Sequence, residues 1–182
     1  MTTQQPPAPF VLDTHELGRR PGTSLRVRRT LPAPDGLVVG LASVPSQAEL
    51  VCDLQLEAVM EGVYVGLTTS APVTAECARC LDQISTSVDV DTHELFVYEP
   101  ADADEDTRVM DGDQIDLEPT LRDGIVLALP ATMLCSDTCP GLCPECGVRL
   151  ADDPEHTHDA PIDPRWSALS GLATDTTTAE ES

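Results

Sequence analysis

The residues of this 182-residue chain with most chemistry to offer are its cysteines and histidines, and most of them stand close together. "CARC" places Cys77 and Cys80 three positions apart. "CSDTCPGLCPECG" sets Cys135, Cys139, Cys143 and Cys146 within twelve positions, and "EHTHDAP" adds His156 and His158. A C-x-x-C turn folds back so that both sulfurs point the same way, which supplies half of a tetrahedral zinc site. In "CPECG" Gly147 follows the second sulfur, where the backbone must turn tightly. "CARC" falls between two strand-like stretches, where a knuckle would form a hairpin tip.

Six thiolates and two imidazoles are eight ligands, enough for two tetrahedra. Cys143, Cys146, His156 and His158 are near enough in sequence to close a local site. Cys77 and Cys80 must find distant partners, and Cys135 with Cys139 remain to meet them. The rival grouping is a single site of Cys77, Cys80, Cys143 and Cys146, with the others spare. The expected cofactor is Zn2+, two ions or one, in a structural role. Structural zinc contributes to folding directly, ~10 kcal/mol or more in small peptides. A long-range site would clip the C-terminal segment to the strands. Cys52 is left over; it lies on the apolar side of an alternating run and is expected to behave as a small hydrophobe.

Other uses of the same residues fit less well. The start, "MTTQQPPAPF", has neither the basic nor the apolar region of a secretory signal, and paired cysteines without an export signal read as metal or redox sites rather than disulfides. A thioredoxin-like C-x-x-C opens a helix after a strand, whereas these pairs fall among strands and loops. A catalytic zinc keeps an open position beside a general base. Glu145 and Glu155 lie near the cysteines, but acids are everywhere in this chain. No paired carboxylate, Ser-His-Asp set, P-loop or dinucleotide fingerprint is present. The expectation is no catalytic residue, no enzyme and no small-molecule substrate. No apolar run approaches the ~20 residues of a membrane span, so the expected location is the cytoplasm.

Thirty-two acids face ten bases, a formal charge of -22, and every base is arginine. Such a surface repels polyphosphate and suits basic partners. Half of the bases, Arg19, Arg20, Arg26, Arg28 and Arg29, lie in "GRRPGTSLRVRR". They read as a solvated strand and loop pairing with the acidic surface, with local RNA contact as the alternative.

These groups need a scaffold to hold them. Residues 1–9 read as a disordered tail, and a turn of helix is expected after Asp13. "SLRVRRTLP" reads as a strand ending at Pro32. From Glu49 the pattern takes period two, with Leu50, Cys52, Leu54, Leu56, Ala58 and Met60 on one face. Further strands are expected at Val63–Leu67, at Val73–Cys77 and at Ile84–Phe96, the first entered by a turn at Glu61-Gly62. Residues 99–118 hold nine acids and one arginine and read as a loop without the spacing of a calcium-binding EF-hand. "DLEPTLRDGIVLALP" reads as a helix ending at Pro130, with Asp116 at its start and Leu117, Leu121, Ile125 and Leu129 on one side. A last helix is expected from "IDPRWSALSGL", with Asp163 at the cap, Pro164 in the first turn, and Trp166, Leu169 and Leu172 facing the body. The predicted architecture is α+β: an antiparallel β meander, a few short helices and a Cys-rich zinc-knuckle segment. One domain is expected over residues 10–172 (10–98 mainly β, 99–118 acidic loop, 119–172 helix, Cys-rich segment and last helix), with an acidic tail at 173–182.

"CARCL", "IVLALP", "CSDTCPGLCPECG" and "IDPRWSALSGL" appear in this order across residues 77–172. The combination resembles the YceD family, the large ribosomal RNA subunit accumulation proteins. Many relatives carry Cys-x-Cys where this chain has His156 and His158, a change that preserves ligand chemistry. The resemblance implies a bacterial cytoplasmic factor for ribosome biogenesis, needed for accumulation of large-subunit ribosomal RNA. The partner it implies is a basic ribosomal protein or a pre-ribosomal large-subunit particle, with direct RNA contact left open. It carries over no catalytic residue.

Overall fold

The computed structural model describes residues 9–99, 107–158 and 165. Among them, nine strands and one helix follow in chain order. They are β1 (Val11–Asp13), β2 (Ser24–Pro32), β3 (Val38–Val39), β4 (Ala42–Ser43), β5 (Glu49–Ala58), β6 (Gly62–Glu76), β7 (Gln83–Val97), β8 (Arg108–Val109), β9 (Gln114–Asp116) and α1 (Glu118–Ala128). The chain divides into two compact units, Met1–Gly141 and Leu142–Ser182.

Strict alternation builds the main sheet. β5 buries Leu50, Cys52, Leu54, Leu56 and Ala58 and exposes every residue between them. Each buried leucine contributes ~2 kcal/mol of apolar burial. β2 pairs with β5 from Ser24↔Glu57 to Pro32↔Glu49, and β5 pairs with β6 from Asp53↔Thr68 to Ala58↔Val63. β6 and β7 form a long antiparallel hairpin running from Gly62↔Val97 to Glu76↔Gln83. Short β3 and β4 add to β6 at Thr74 and Ala75, and β8 joins the far side of β7 in parallel at Phe96 and Val97. β1 and β9 make a separate antiparallel pair.

One strand replaces the two expected over Val63–Leu67 and Val73–Cys77, and the bond directions explain how Pro72 is accommodated. The Tyr98 N–H donates to Glu61 O, while Val97 O accepts from Met110 N–H. Even-numbered residues of β7 therefore bond β6 and odd-numbered ones point away. Pro72 stands opposite Ser87, so its missing N–H faces the other side of β6, in the gap between the β5 pairing at Thr68 and the β4 pairing at Thr74. No ladder bond is lost there. Gly62 is required for a different reason: a Cβ would overlap the Phe96 carbonyl.

α1 lies across the inner face of β7. A Cβ on Gly124 would stand 3.0 Å from Val90 Cγ1 and Thr92 Cγ2, so the glycine permits this close approach. Leu117, Leu121, Ile125 and Leu129 are all buried, as the spacing predicts. Asp116 accepts the Glu118 N–H at 3.0 Å, although Leu117 is the cap residue. Other local expectations change. Val11–Asp13 is a strand, and turns rather than a helix follow it: the Asp13 carboxylate accepts the His15 N–H, which favours an Asx turn. The acidic segment includes β8 and β9 as well as loop. Met60 leaves the buried alternation because it sits in the β5–β6 turn, 82% exposed. β3 and β4 are too short to leave a periodic signature. The expected N-terminal tail up to residue 8, the middle of the acidic loop at 100–106, the last helix apart from Arg165, and the C-terminal tail lie outside the described residues.

Candidate metal centres

The first centre belongs to the unit that contains the sheet. Cys77 follows β6, Cys80 precedes β7, and the turn between them is the tip of the long hairpin. The Cys77 N–H donates to Asp82 O and the Leu81 N–H to Cys77 O, with Leu81 at φ +62°. The segment after α1 then brings up Cys135 and Cys139. It is tied on by the Ala78 N–H to Met133 O at 2.9 Å and by Arg79, whose guanidinium donates to Cys139 O at 2.9 Å. The four sulfurs lie within 4.8 Å of one another, with Cys77–Cys139 at 3.8 Å and Cys80–Cys135 at 3.6 Å. Cys77, Cys80 and Cys139 are buried and Cys135 is exposed.

The second centre belongs wholly to the C-terminal unit and repeats the same turn. The Cys143 N–H donates to Val148 O and the Gly147 N–H to Cys143 O, with Gly147 at φ +74°. Both turns thus place a left-handed residue straight after the second cysteine, a leucine in one and a glycine in the other. His156 and His158 complete the group. Their Nε2 atoms are 2.8 Å apart, and each is 3.2 Å from Cys146 Sγ. The outer ring nitrogens face carboxylates: His156 Nδ1 lies 3.5 Å from Asp153 and His158 Nδ1 3.4 Å from Glu145. A carboxylate behind each imidazole orients the ring and raises its basicity as a ligand.

The electrostatics of both turns favour a thiolate at the first cysteine. Cys77 is brought down to about 6, chiefly by the Cys80 backbone N–H and further by those of Cys135 and Arg79, against the effect of burial. Cys143 falls to about 6 chiefly through the Cys146 N–H, then that of Glu145. Cys80 behaves oppositely. The Asp82 N–H favours its thiolate, but burial and the neighbouring sulfurs of Cys77, Cys135 and Cys139 push it up to about 12. Cys135 is raised chiefly by the Cys139 sulfur. Four sulfurs this close cannot all ionise without a cation among them. The donor set fits zinc: a tetrahedron with ~2.3 Å zinc–sulfur bonds has sulfur–sulfur edges of about 3.8 Å. All seven cysteines are free of disulfides, and Cys52 lies fully buried in the core, its thiol raised chiefly by burial.

Sequence spacing groups the eight donors as the structure does. It does not reveal the supporting residues. Asp153 and Glu145 are two among many acids, and the i, i+3 spacing of Asp153 and His156 is the one local signal. Nothing in "CARC" announces that Arg79 reaches a carbonyl sixty residues away.

The five arginines do not converge on one surface. Arg19 pairs with Asp113 at 3.1 Å and lies 4.8 Å from the centre of the Tyr98 ring. Arg28 pairs with Asp53 at 3.5 Å, and Arg29 donates to Val11 O. Arg26 and Arg28 share the outer face of β2 and border an open cleft of about 600 Å³ with Tyr64 and His93, whose rings stack at 5.6 Å. Arg20 is exposed in the preceding turn.

Fold and site together define a mostly antiparallel β protein with two four-donor groups that can hold metal ions. Residues 65–173 match the family described as large ribosomal RNA subunit accumulation protein YceD, and the chain belongs to that family. It is similar to the Mycobacterium tuberculosis protein Rv2926c, 42% identical over 168 residues that cover 89% of this chain and 80% of the relative. It is also similar to Mycobacterium leprae ML1660, 38% identical over 91% of this chain and 78% of that one. Bacillus subtilis YlbN is 28% identical over 60% of this chain and 66% of its own. No solved structure matches the chain. No helix among the described residues is long and apolar enough to cross a membrane.

Proposed function

We propose that the protein is a non-enzymatic, cytoplasmic ribosome-biogenesis factor that supports accumulation of large-subunit ribosomal RNA and carries two structural Zn2+ ions. The observation that carries this reading is the pairing of the family with two complete protein donor sets, Cys77, Cys80, Cys135, Cys139 and Cys143, Cys146, His156, His158. Each set supplies four donors, the number a closed structural zinc takes, whereas catalytic zinc keeps a position for water. In this role zinc holds the hairpin tip against the segment after α1, and in the other unit it closes a short loop that has little secondary structure of its own. The protein's residues form and orient the sites; the ion supplies the charge that lets the thiolates coexist.

The charge of -22 favours a basic partner, a ribosomal protein or a pre-ribosomal particle. Arg26 and Arg28 beside Tyr64 and His93 are the residues best placed for an RNA contact. Affinity capture with the tagged full-length chain, at low and high salt, tests the reading. Recovery of large-subunit ribosomal proteins or precursor particles supports it, and recovery of neither in either salt contradicts it. A metal-dependent hydrolase is the rival class. Cobalt substitution separates the two, because four protein donors give a thiolate-rich tetrahedral spectrum and an open site gives a water ligand.

A further inference from the structure

β7 is bonded to β6 along its whole length, but on its other side, among the described residues, only Phe96 and Val97 pair with a neighbouring strand, β8. The bond directions established above make the odd-numbered residues face that side. Ser85, Ser87, Asp89, Asp91 and His93 therefore present their N–H and C=O groups outward, and none of these meets a backbone partner among the described residues. Such an edge is a template for another strand. Natural edges are commonly protected by charged side chains, lysine above all, or by proline; β7 has no lysine, arginine or proline, and its charges are the acids Asp89, Asp91 and Glu94.

The side chains along this edge state what would fit it. The outer face carries Asp89, Asp91 and His93. The inner face carries half-buried Ile84 and Val88, with Val90 and Thr92 under Gly124 of α1. Leu127 lies three residues beyond Gly124, on the same side of the helix one turn further on, and is 86% exposed. A second copy of β7 paired antiparallel about Val90 would set Asp89 against Asp91, which is unfavourable directly across a strand pair. We infer that the β7 edge from Ser85 to His93 is a docking site for an extended basic segment of a partner protein. That segment alternates Lys or Arg against Asp89 and Asp91 with apolar residues turned toward Val88 and Leu127, and it adds to the sheet as a strand. For the identity of its natural occupant the inference rests on the ribosomal reading above; the edge itself is tested without it.

The probe is a twelve-residue peptide of alternating Lys and Val, added to the full-length, metal-loaded chain and followed by amide exchange and titration in NMR. Binding is expected to slow exchange of the Ser85, Ser87, Asp89, Asp91 and His93 amides at least tenfold. N-methylation of alternate peptide residues, which removes edge hydrogen bonds and keeps the charge, is expected to weaken binding at least tenfold. Asp89→Pro removes one outward N–H and none of the bonds to β6, and is expected to weaken binding by a similar factor; a double Asp89→Asn, Asp91→Asn variant keeps the backbone and tests the charge. Equal affinity for the methylated peptide overturns the inference, as does protection of these five amides in the free chain, which would mean that the edge is already covered. Peptide binding at this edge together with failure of the ribosomal capture keeps the docking site and removes the ribosomal reading.

Discussion

Substituting Gly147 by alanine isolates the conformational demand of the second knuckle. Gly147 has φ +74°, and a Cβ there meets nothing within 4 Å, so the change adds no clash and removes no packing. The left-handed conformation costs an L-residue about 1–2 kcal/mol. Alanine recovers about 0.4–1 kcal/mol of that by restricting the unfolded chain. The net loss is about 1 kcal/mol, about a fivefold change in an equilibrium constant. A metal site of this kind is rarely preformed, so the loss should appear in the affinity for the second ion. Competition with a chromophoric chelator is expected to show a dissociation constant raised about fivefold for one of two ions, with the other unchanged. Identical curves for Gly147→Ala and the parent chain would exclude a conformational demand at this turn, and equal weakening of both ions would exclude its confinement to the second centre. Leu81 already occupies the equivalent position in the first knuckle, at φ +62°, which shows that the turn tolerates a side chain when four sulfurs hold it.

Cys139→Ser and His158→Ala are each expected to lower the bound metal from two ions to one, as read by native mass spectrometry. Cys139→Ser should also lower the unfolding midpoint of the sheet-containing unit in urea, because the first centre ties the hairpin tip to the segment after α1. Glu145→Gln leaves every donor in place but removes the charge behind His158 Nδ1; it is expected to weaken the second ion about tenfold, measured with the same chelator. Gly62→Ala drives a Cβ into the Phe96 carbonyl and is expected to destabilise the chain by about 3 kcal/mol or more, measured by urea unfolding of the metal-loaded protein.

Where a residue type and a short period act together, the sequence is a sufficient guide. β5 emerges because every second residue from Leu50 to Ala58 is buried and those between are exposed, whereas in β2 Leu31 is buried, Leu25 and Val27 are half-buried and Arg29 is exposed. The α1 stripe is legible because Leu117, Leu121, Ile125 and Leu129 repeat at helical spacing. The donor grouping is legible because two of the pairs are tied by nearness along the chain. Other features depend on distant partners. Pro72 reads as a strand breaker until the gap between β4 and β5 is known. β8 and β9 hide in an acidic run because each gains its strand geometry from a neighbour elsewhere, Phe96–Val97 and Val11–Asp13. The carboxylates behind His156 and His158 cannot be told from the other acids by type, since only distance singles them out.

The most direct measurement is the metal content of freshly purified, full-length protein, by native mass spectrometry alongside elemental analysis. Two zinc ions per chain are predicted, released stepwise by chelator. A chain that arrives without stoichiometric metal and unfolds at the same urea concentration when Cys77 and Cys143 are both serine would contradict the account.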